Sequence, residues 1–337
     1  MLYAMLLKPH ANARYRQSLQ KLASVELACI LGAWNRSARV ECTRIQGEPF
    51  LTFDAEPLSP QAWRAVSGHS GICLAAELRG EALYPISRTT AGFVPDDLPQ
   101  VLKYKGKTNA DFTLLLLNCA RAASAFANVQ TPLIVADPLC GKATTLFCAL
   151  ERGDHAVGVE LDAKVLAEAD LYLERFLQFH HLKYRREAGS QTLRGGGNAK
   201  AVSYAIAQDT AQMKQGGART LRLLHGDTLR LRELLGAESC HLLVGDLPYG
   251  VQHAPKEAGG ISSLAKLVHA AMPGYAAVLK PGGAVALAFN TYTLKKTEVA
   301  HAMRDAGLEV LDTPPYDDFS HWVEQAVERD VLIGRKR

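Results

Sequence analysis

Residues 137–145 read DPLCGKATT and lie between the apolar run 133–136 (LIVA) and the apolar stretch 146–150 (LFCAL). Strand formers, a small-residue turn and a helical pattern follow one another here, which predicts a strand, a tight turn and a helix. Gly141 lets the backbone approach a ligand closely, and the helix start aims free N–H groups at that ligand's polar end. A second apolar run, 155–159 (HAVGV), ends in Glu160 about twenty residues after the turn. That is the spacing at which a doubly wound α/β sheet places an acid on a ribose.

The composition of the turn narrows the ligand. A dinucleotide site needs G-x-G-x-x-G for its pyrophosphate, whereas this turn has Gly141 alone, with Ala143 two residues on. No G-x-x-x-x-G-K-[ST] phosphate loop occurs either. A nucleoside ligand without phosphates is therefore favoured, and S-adenosylmethionine is the common candidate.

About a hundred residues downstream, DLPYG at 246–250 follows the apolar run 241–244 (HLLV). An exocyclic base amine is a poor nucleophile because its lone pair is delocalised into the ring, so an enzyme must orient it toward an electrophilic methyl. Asp246 can accept one N–H of such an amine, and the carbonyl near Pro248 can accept the other. Pro248 stiffens the loop, and Tyr249 supplies a face on which an extruded base can stack. A plain strand-ending turn is the alternative, but its place after a strand and downstream of the donor turn favours a functional loop.

These two segments resemble the D-P-x-C-G-x-G-T and [DN]-P-P-Y motifs of class I amino-methyltransferases. The second is most similar to the D-L-P-[YF]-G variant of tRNA guanine-N2 methyltransferases usually associated with a THUMP domain. The resemblance spans roughly residues 100–335. It implies S-adenosylmethionine as cofactor, held by Asp137, Gly141, Glu160 and Asp227, the last on the adenine amine. It also implies an acceptor loop of Asp246, Pro248 and Tyr249, and RNA, specifically tRNA, as partner. In this family the segment before the first helix covers the methionine end, which adds Asn109, Phe112 and Thr113, while the Cys140 position is one of small packing residues. Ala143 and Leu247 depart from the family pattern. Adenine N6 in DNA or RNA is a second target of the same acceptor geometry. A nucleic-acid-binding module without turnover is a reading of another class.

The remaining pattern extends the α/β alternation. Residues 221–227 read as a strand ending at Asp227, 261–279 as a helix, 280–283 (KPGG) as a turn and 284–289 as a buried strand. A helix over 294–306 leads to 308–311 and 326–333, an antiparallel edge pair. The expected fold is a doubly wound, Rossmann-like sheet. Between the two acid-ending strands, the pattern predicts helices over 171–179 and 199–214, a helical insertion at about 171–220. Residues 171–222 hold nine basic and three acidic side chains, a net charge of +6 against +4 for the whole chain. Such a segment suits a phosphate backbone, with Lys183, Arg185 and Arg186 as RNA ligands. Lys103, Lys105 and Lys107 in the linker are further phosphate candidates.

Residues 1–100 break the alternation. Strands at 2–7, 38–44 and 50–53 and helices at 14–31 and 60–67 predict a small α+β domain. It is similar to the ferredoxin-like N-terminal portion of the THUMP-type enzymes, with too few residues for a full THUMP domain. The 337 residues accommodate two domains, 1–100 and 101–337. There is no basic leader and no apolar run long enough to cross a membrane, so a cytoplasmic enzyme is expected. Seven cysteines without a C-x-x-C pair, and histidines without metal-ligand spacing, predict neither a disulfide framework nor a metal site.

Overall fold

The computed structural model describes residues 1–9, 13–35, 38–89, 92–101, 108–193, 195–249 and 261–337. The N-terminal part runs β1 (Leu2–Leu7), α1 (Ala13–Ala33), β2 (Glu41–Ile45), β3 (Glu48–Asp54), α2 (Pro60–Ser67), β4 (Ile72–Arg79) and β5 (Ala82–Pro85). Its strands order as β2-β3-β1-β4-β5, every neighbouring pair antiparallel. With α1 and α2 as the crossovers, this is the split βαβ arrangement of ferredoxin-like units. Ser59 caps α2 by accepting the Ala62 N–H at 3.2 Å, and Pro60 opens the helix where its missing N–H costs nothing. Met5, Leu27, Leu51, Phe53, Val66 and Ile72 close the core between helices and sheet. The sequence pattern misses β4 and β5, because Ala75 and Ala76 stand where β-branched residues would mark a strand.

The larger part continues through α3 (Leu98–Val101), α4 (Ala110–Ala123), β6 (Ile134–Asp137), α5 (Thr144–Glu151), β7 (His155–Glu160) and α6 (Ala163–Phe179). It goes on through β8 (Lys183–Thr192), β9 (Asn198–Ala207), α7 (Thr210–Lys214), β10 (Arg219–His225), α8 (Leu231–Leu235), β11 (Cys240–Asp246) and α9 (Ile261–Val278). It ends with β12 (Leu279–Asn290), α10 (Lys296–Asp305), β13 (Leu308–Leu311), β14 (His321–Glu324) and β15 (Val327–Lys336). The sheet orders as β13-β15-β12-β11-β6-β7-β10-β9-β8, with β14 also paired to β15. From β12 to β10 all pairs are parallel, whereas β15 lies antiparallel between β12 and β13. The fold is thus mixed α/β with a mostly parallel central sheet. Strand order reverses between β6 and β11, and that reversal opens a crevice at their carboxyl ends.

Parallel strands covered on both faces must be apolar on both, and β6 shows it: Val135 joins one core and Ala136 the other. Residues 280–283, expected as a turn, instead form the first part of β12, beside a register shift against β11.

The second helix expected at 199–214 is mostly strand. Residues 198–207 form β9, paired antiparallel to β10 and to β8, and only Thr210–Lys214 is helical. Alanines at 199, 201, 205 and 207 suggest helix by propensity, but Val202, Tyr204 and Ile206 alternate and pack into one core. The basic insertion is therefore a hairpin of two ten-residue strands that widens the sheet, not a helical pair. Arg186 forks onto Asp170 at 2.6 and 3.1 Å and meets the Tyr204 hydroxyl at 3.2 Å, so it anchors the hairpin to α6. Among the described residues no helix is long and apolar enough to cross a membrane.

Ile206→Ala should cost about 2–5 kcal/mol in urea unfolding, and Ser203→Ala on the opposite face less than about 0.5 kcal/mol.

Candidate functional site

Four carboxylates stand at the carboxyl ends of successive parallel strands: Asp137 ends β6, Glu160 ends β7, Asp227 lies just past β10 and Asp246 ends β11. The 138–143 turn is bonded to β7. Cys140 donates its N–H to the Val159 carbonyl at 2.9 Å, and Gly141 donates to Glu160 Oε2 at 3.0 Å. Glu160 Oε1 accepts from Asp162 at 2.8 Å, so the acid is held facing the turn. Gly141 has φ +51°, and no atom lies within 4 Å of where a Cβ would stand, which leaves open space above the turn.

Ala143 is fully buried at the start of α5 with φ +70°, a left-handed conformation in which glycine is at home. The methyl group is accommodated inside the protein, under the turn. Cys140 packs against Gly158, where an added Cβ would stand 2.7 Å from its sulfur. Burial pushes the Cys140 thiol well above its ordinary value, which suits a packing residue.

Asp137 is buried, and burial raises its carboxyl to about 7, against hydrogen bonds from Thr145 and the Leu139 N–H that favour ionisation. Glu160 and Asp246 push in the same direction as burial. Asp227 Oδ1 accepts from Leu229 at 2.9 Å and caps the short turn Thr228–Arg230. Two apolar side chains, unremarkable in the sequence, border these acids: Leu161 is 67% exposed and Leu229 is 45% exposed. Leu161 directly follows Glu160 and Leu229 lies two residues after Asp227, and only the structure reveals their exposure.

The 246–249 loop is part of a connected polar network. Asp246 Oδ2 accepts the Thr108 hydroxyl at 2.6 Å, and Tyr249 donates its hydroxyl to Asp246 Oδ1 at 2.8 Å. Arg329 Nε donates to the Tyr249 oxygen at 2.5 Å, and its guanidinium lies 3.8 Å from Asp246 Oδ2. Burial and the neighbouring Asp246 hold the Tyr249 hydroxyl above its ordinary value, so it stays a neutral donor. Asp246 is thus held by Thr108, Tyr249 and Arg329, and Tyr249 by Asp246 and Arg329, contacts that the sequence pattern does not record. Arg329 and Asp330, each 5% exposed, are buried charges directly before the apolar run 331–333 of β15, and their burial is what marks them. Leu247 donates its N–H to the Ala288 carbonyl at 2.8 Å, a bond a proline at this position could not make.

The start of α4 borders the same loop. Asn109 caps α4 by accepting from Asp111 and Phe112, Thr113 bonds back to the Asn109 carbonyl, and Phe112 lies 4.3 Å beneath the Arg329 guanidinium. Capping and packing account for the contacts of all three. Lys183, Arg185 and Arg186 lie elsewhere, on edge strand β8, five strand spacings from β11 or about 24 Å. Lys103, Lys105, Lys107 and Gly250 lie outside the described residues.

No family model and no curated protein matches the sequence. Solved structures to which the fold is similar include TrmN from Thermus thermophilus, at 16% identity over 90% of this chain and 60% of that one, TM-score 0.41. A methyltransferase homolog from Pyrococcus horikoshii matches at 12% identity over 100% of this chain and 86% of that one, TM-score 0.37. A TehB-like SAM-dependent methyltransferase from Corynebacterium glutamicum matches at 13% identity over 63% and 84%, TM-score 0.36. The chain thus spans 60% of the length of the Thermus thermophilus structure.

The raised carboxyl of Asp137 has a consequence for stability. Between its ordinary value of 3.8 and about 7 the folded state binds a proton that the unfolded state does not, so this group's contribution to stability falls as pH rises through that window. Unfolding free energies measured from pH 4 to 8 should show that slope in the natural protein and its loss in Asp137→Asn.

Proposed function

We propose that this chain is a methyltransferase that uses S-adenosylmethionine to methylate an exocyclic amine of a nucleobase, with guanine N2 in tRNA as its target. One observation carries the reading: a glycine turn bonded to a strand-ending acid stands one strand away from the Asp246 network, across the crevice where strand order reverses. The residues fit the cofactor. Open space lies above Gly141, Glu160 bonded to that turn would hold a ribose, Asp227 lies beyond, and the exposed Leu161 and Leu229 would flank a base.

The cofactor would supply an electrophilic methyl group on a sulfonium. Asp137 contributes a buried carboxyl that favours a cationic ligand once ionised. On the acceptor side Asp246 accepts an N–H of the amine at Oδ2, replacing the Thr108 hydroxyl there, and the carbonyl near Pro248 accepts the other. This orients the nitrogen lone pair toward the donor crevice, and Asp246 Oδ2 is placed to receive the proton the amine must lose. Arg329 and Tyr249 hold that carboxylate in place, so little reorganisation accompanies transfer. The choice of guanine in tRNA rests on the DLPYG segment and on the N-terminal ferredoxin-like unit.

Transfer of labelled methyl to tRNA, ribosomal RNA fragments and duplex DNA, followed by nucleoside analysis, tests the reading: N2-methylguanosine is expected, and methyladenine would overturn the choice of base. Asp246→Asn should lower transfer by about 10²-fold while leaving cofactor affinity within a few fold. Because a cationic ligand favours ionised Asp137, cofactor affinity should strengthen as pH rises toward about 7 and level off above it. Calorimetric titration should find that dependence absent in Asp137→Asn.

A further inference from the structure

A cavity of about 390 Å³ lies at the opposite end of the sheet, between the two parts of the chain. α1 and α2 wall one side, and the end of α4 with the segments leading into β6, β7 and β10 wall the other. The crevice at the carboxyl ends is a strand length away, about 20 Å. Four arginines line the cavity, Arg64, Arg121, Arg152 and Arg219, and Asp154 is the one carboxylate among the lining residues.

That carboxylate is already committed. Asp154 accepts Arg121 Nη2 at 2.6 and 2.7 Å, and its Oδ1 also accepts the Leu133 N–H. The hydrogen bonds of Arg219 and Arg152 go to neutral carbonyls, while Asp154 lies near enough to Arg219, and Glu151 to Arg152, for the charges to attract. Arg219 donates to the carbonyls of Gly153 and Gly217 at 2.5 and 2.7 Å and lies 4.8 Å over the Phe93 ring. Arg152 donates to the Gly68 carbonyl, yet its buried Nε has no hydrogen-bond partner among the described residues. The Arg64 side chain has no hydrogen-bond or ion-pair partner among the described residues. Arg88 stands close enough to Arg152 for the two charges to repel, after the larger effect of its own burial. Four guanidiniums outnumber the two neighbouring carboxylates, Asp154 and Glu151, which leaves a concave, positively charged, partly desolvated space whose donors are positioned by carbonyl bonds. Trp34 adds an aromatic wall.

We propose that this interdomain cavity is a binding site for a phosphate group, free or carried on nucleic acid. A forked guanidinium matches two oxygens of a tetrahedral oxyanion, and the volume lies within the range of small-ligand sites. The site is independent of the transfer chemistry, because its residues and the Asp246 network lie at opposite ends of the strands.

Calorimetric titration of the full-length protein with inorganic pyrophosphate, and separately with a 5′-phosphorylated RNA tetranucleotide, tests it. At least one probe should bind, and Arg64→Glu should weaken that binding by about tenfold or more, with circular dichroism unchanged. Arg219→Met provides a second variant, and Trp34 fluorescence an independent signal of occupancy. Binding of pyrophosphate alone would assign a free anion, and binding of the tetranucleotide alone a nucleic-acid phosphate. Absence of binding by both, or binding that neither variant alters, would overturn the proposal. Methyl transfer is not measured, so this outcome stands apart from that of the transfer assay.

Discussion

Parallel strands joined by right-handed crossovers deliver all their carboxyl ends to one edge of the sheet, and the rest of this molecule is arranged around that constraint. Four acids gather there because each ends, or closely follows, its own strand. Gathering them has an electrostatic cost, which the structure meets locally. Glu160 and Asp227 are stabilised by backbone N–H groups of the turns they cap. Asp137, deepest in the sheet, retains a raised proton affinity because burial outweighs its two hydrogen bonds.

Arg329 addresses the remaining acid from the other direction. β15 runs antiparallel to β12, so the beginning of β15, not its end, meets the carboxyl edge, and Asn290 pairs with Arg329 there. A buried guanidinium would be costly alone; here it shares Tyr249 with Asp246 and rests on the Phe112 ring. The antiparallel strand therefore places a cation where the parallel strands supply only anions. The docking of the N-terminal unit follows the same logic. Glu26 on α1 is fully buried and accepts from the Ser70 N–H and hydroxyl and from Asn118 on α4 at 2.5–2.8 Å, which ties the two units together without an exposed charge.

Most of the parallel sheet was legible because its strands are short apolar runs ending in acids, and buried parallel strands have to look that way. The 138–143 turn and its pairing with Glu160 were legible from Gly141 and from the interval to that acid. The β8–β9 hairpin was not: alanine is compatible with a helix or a strand, and the period-2 signal of Val202, Tyr204 and Ile206 became decisive only once a free sheet edge beside β10 could take it. Leu161 and Leu229 were equally silent, since an apolar side chain declares a role only when its exposure is known.

The sequence by itself determined the alternation of strands and helices, the order of the two loops and the acids that end the strands. Local chemistry suffices for these, because propensity, turn residues and hydrophobic period act over a few neighbouring positions. Tertiary structure alone decided that Arg329 and Thr108 would hold Asp246 and Tyr249, that Asp137 would titrate near 7, and that four arginines from both parts of the chain would share one cavity. Each depends on groups tens to more than a hundred residues apart being brought within a few ångströms and out of water, where Coulombic and desolvation energies grow and no local pattern records them.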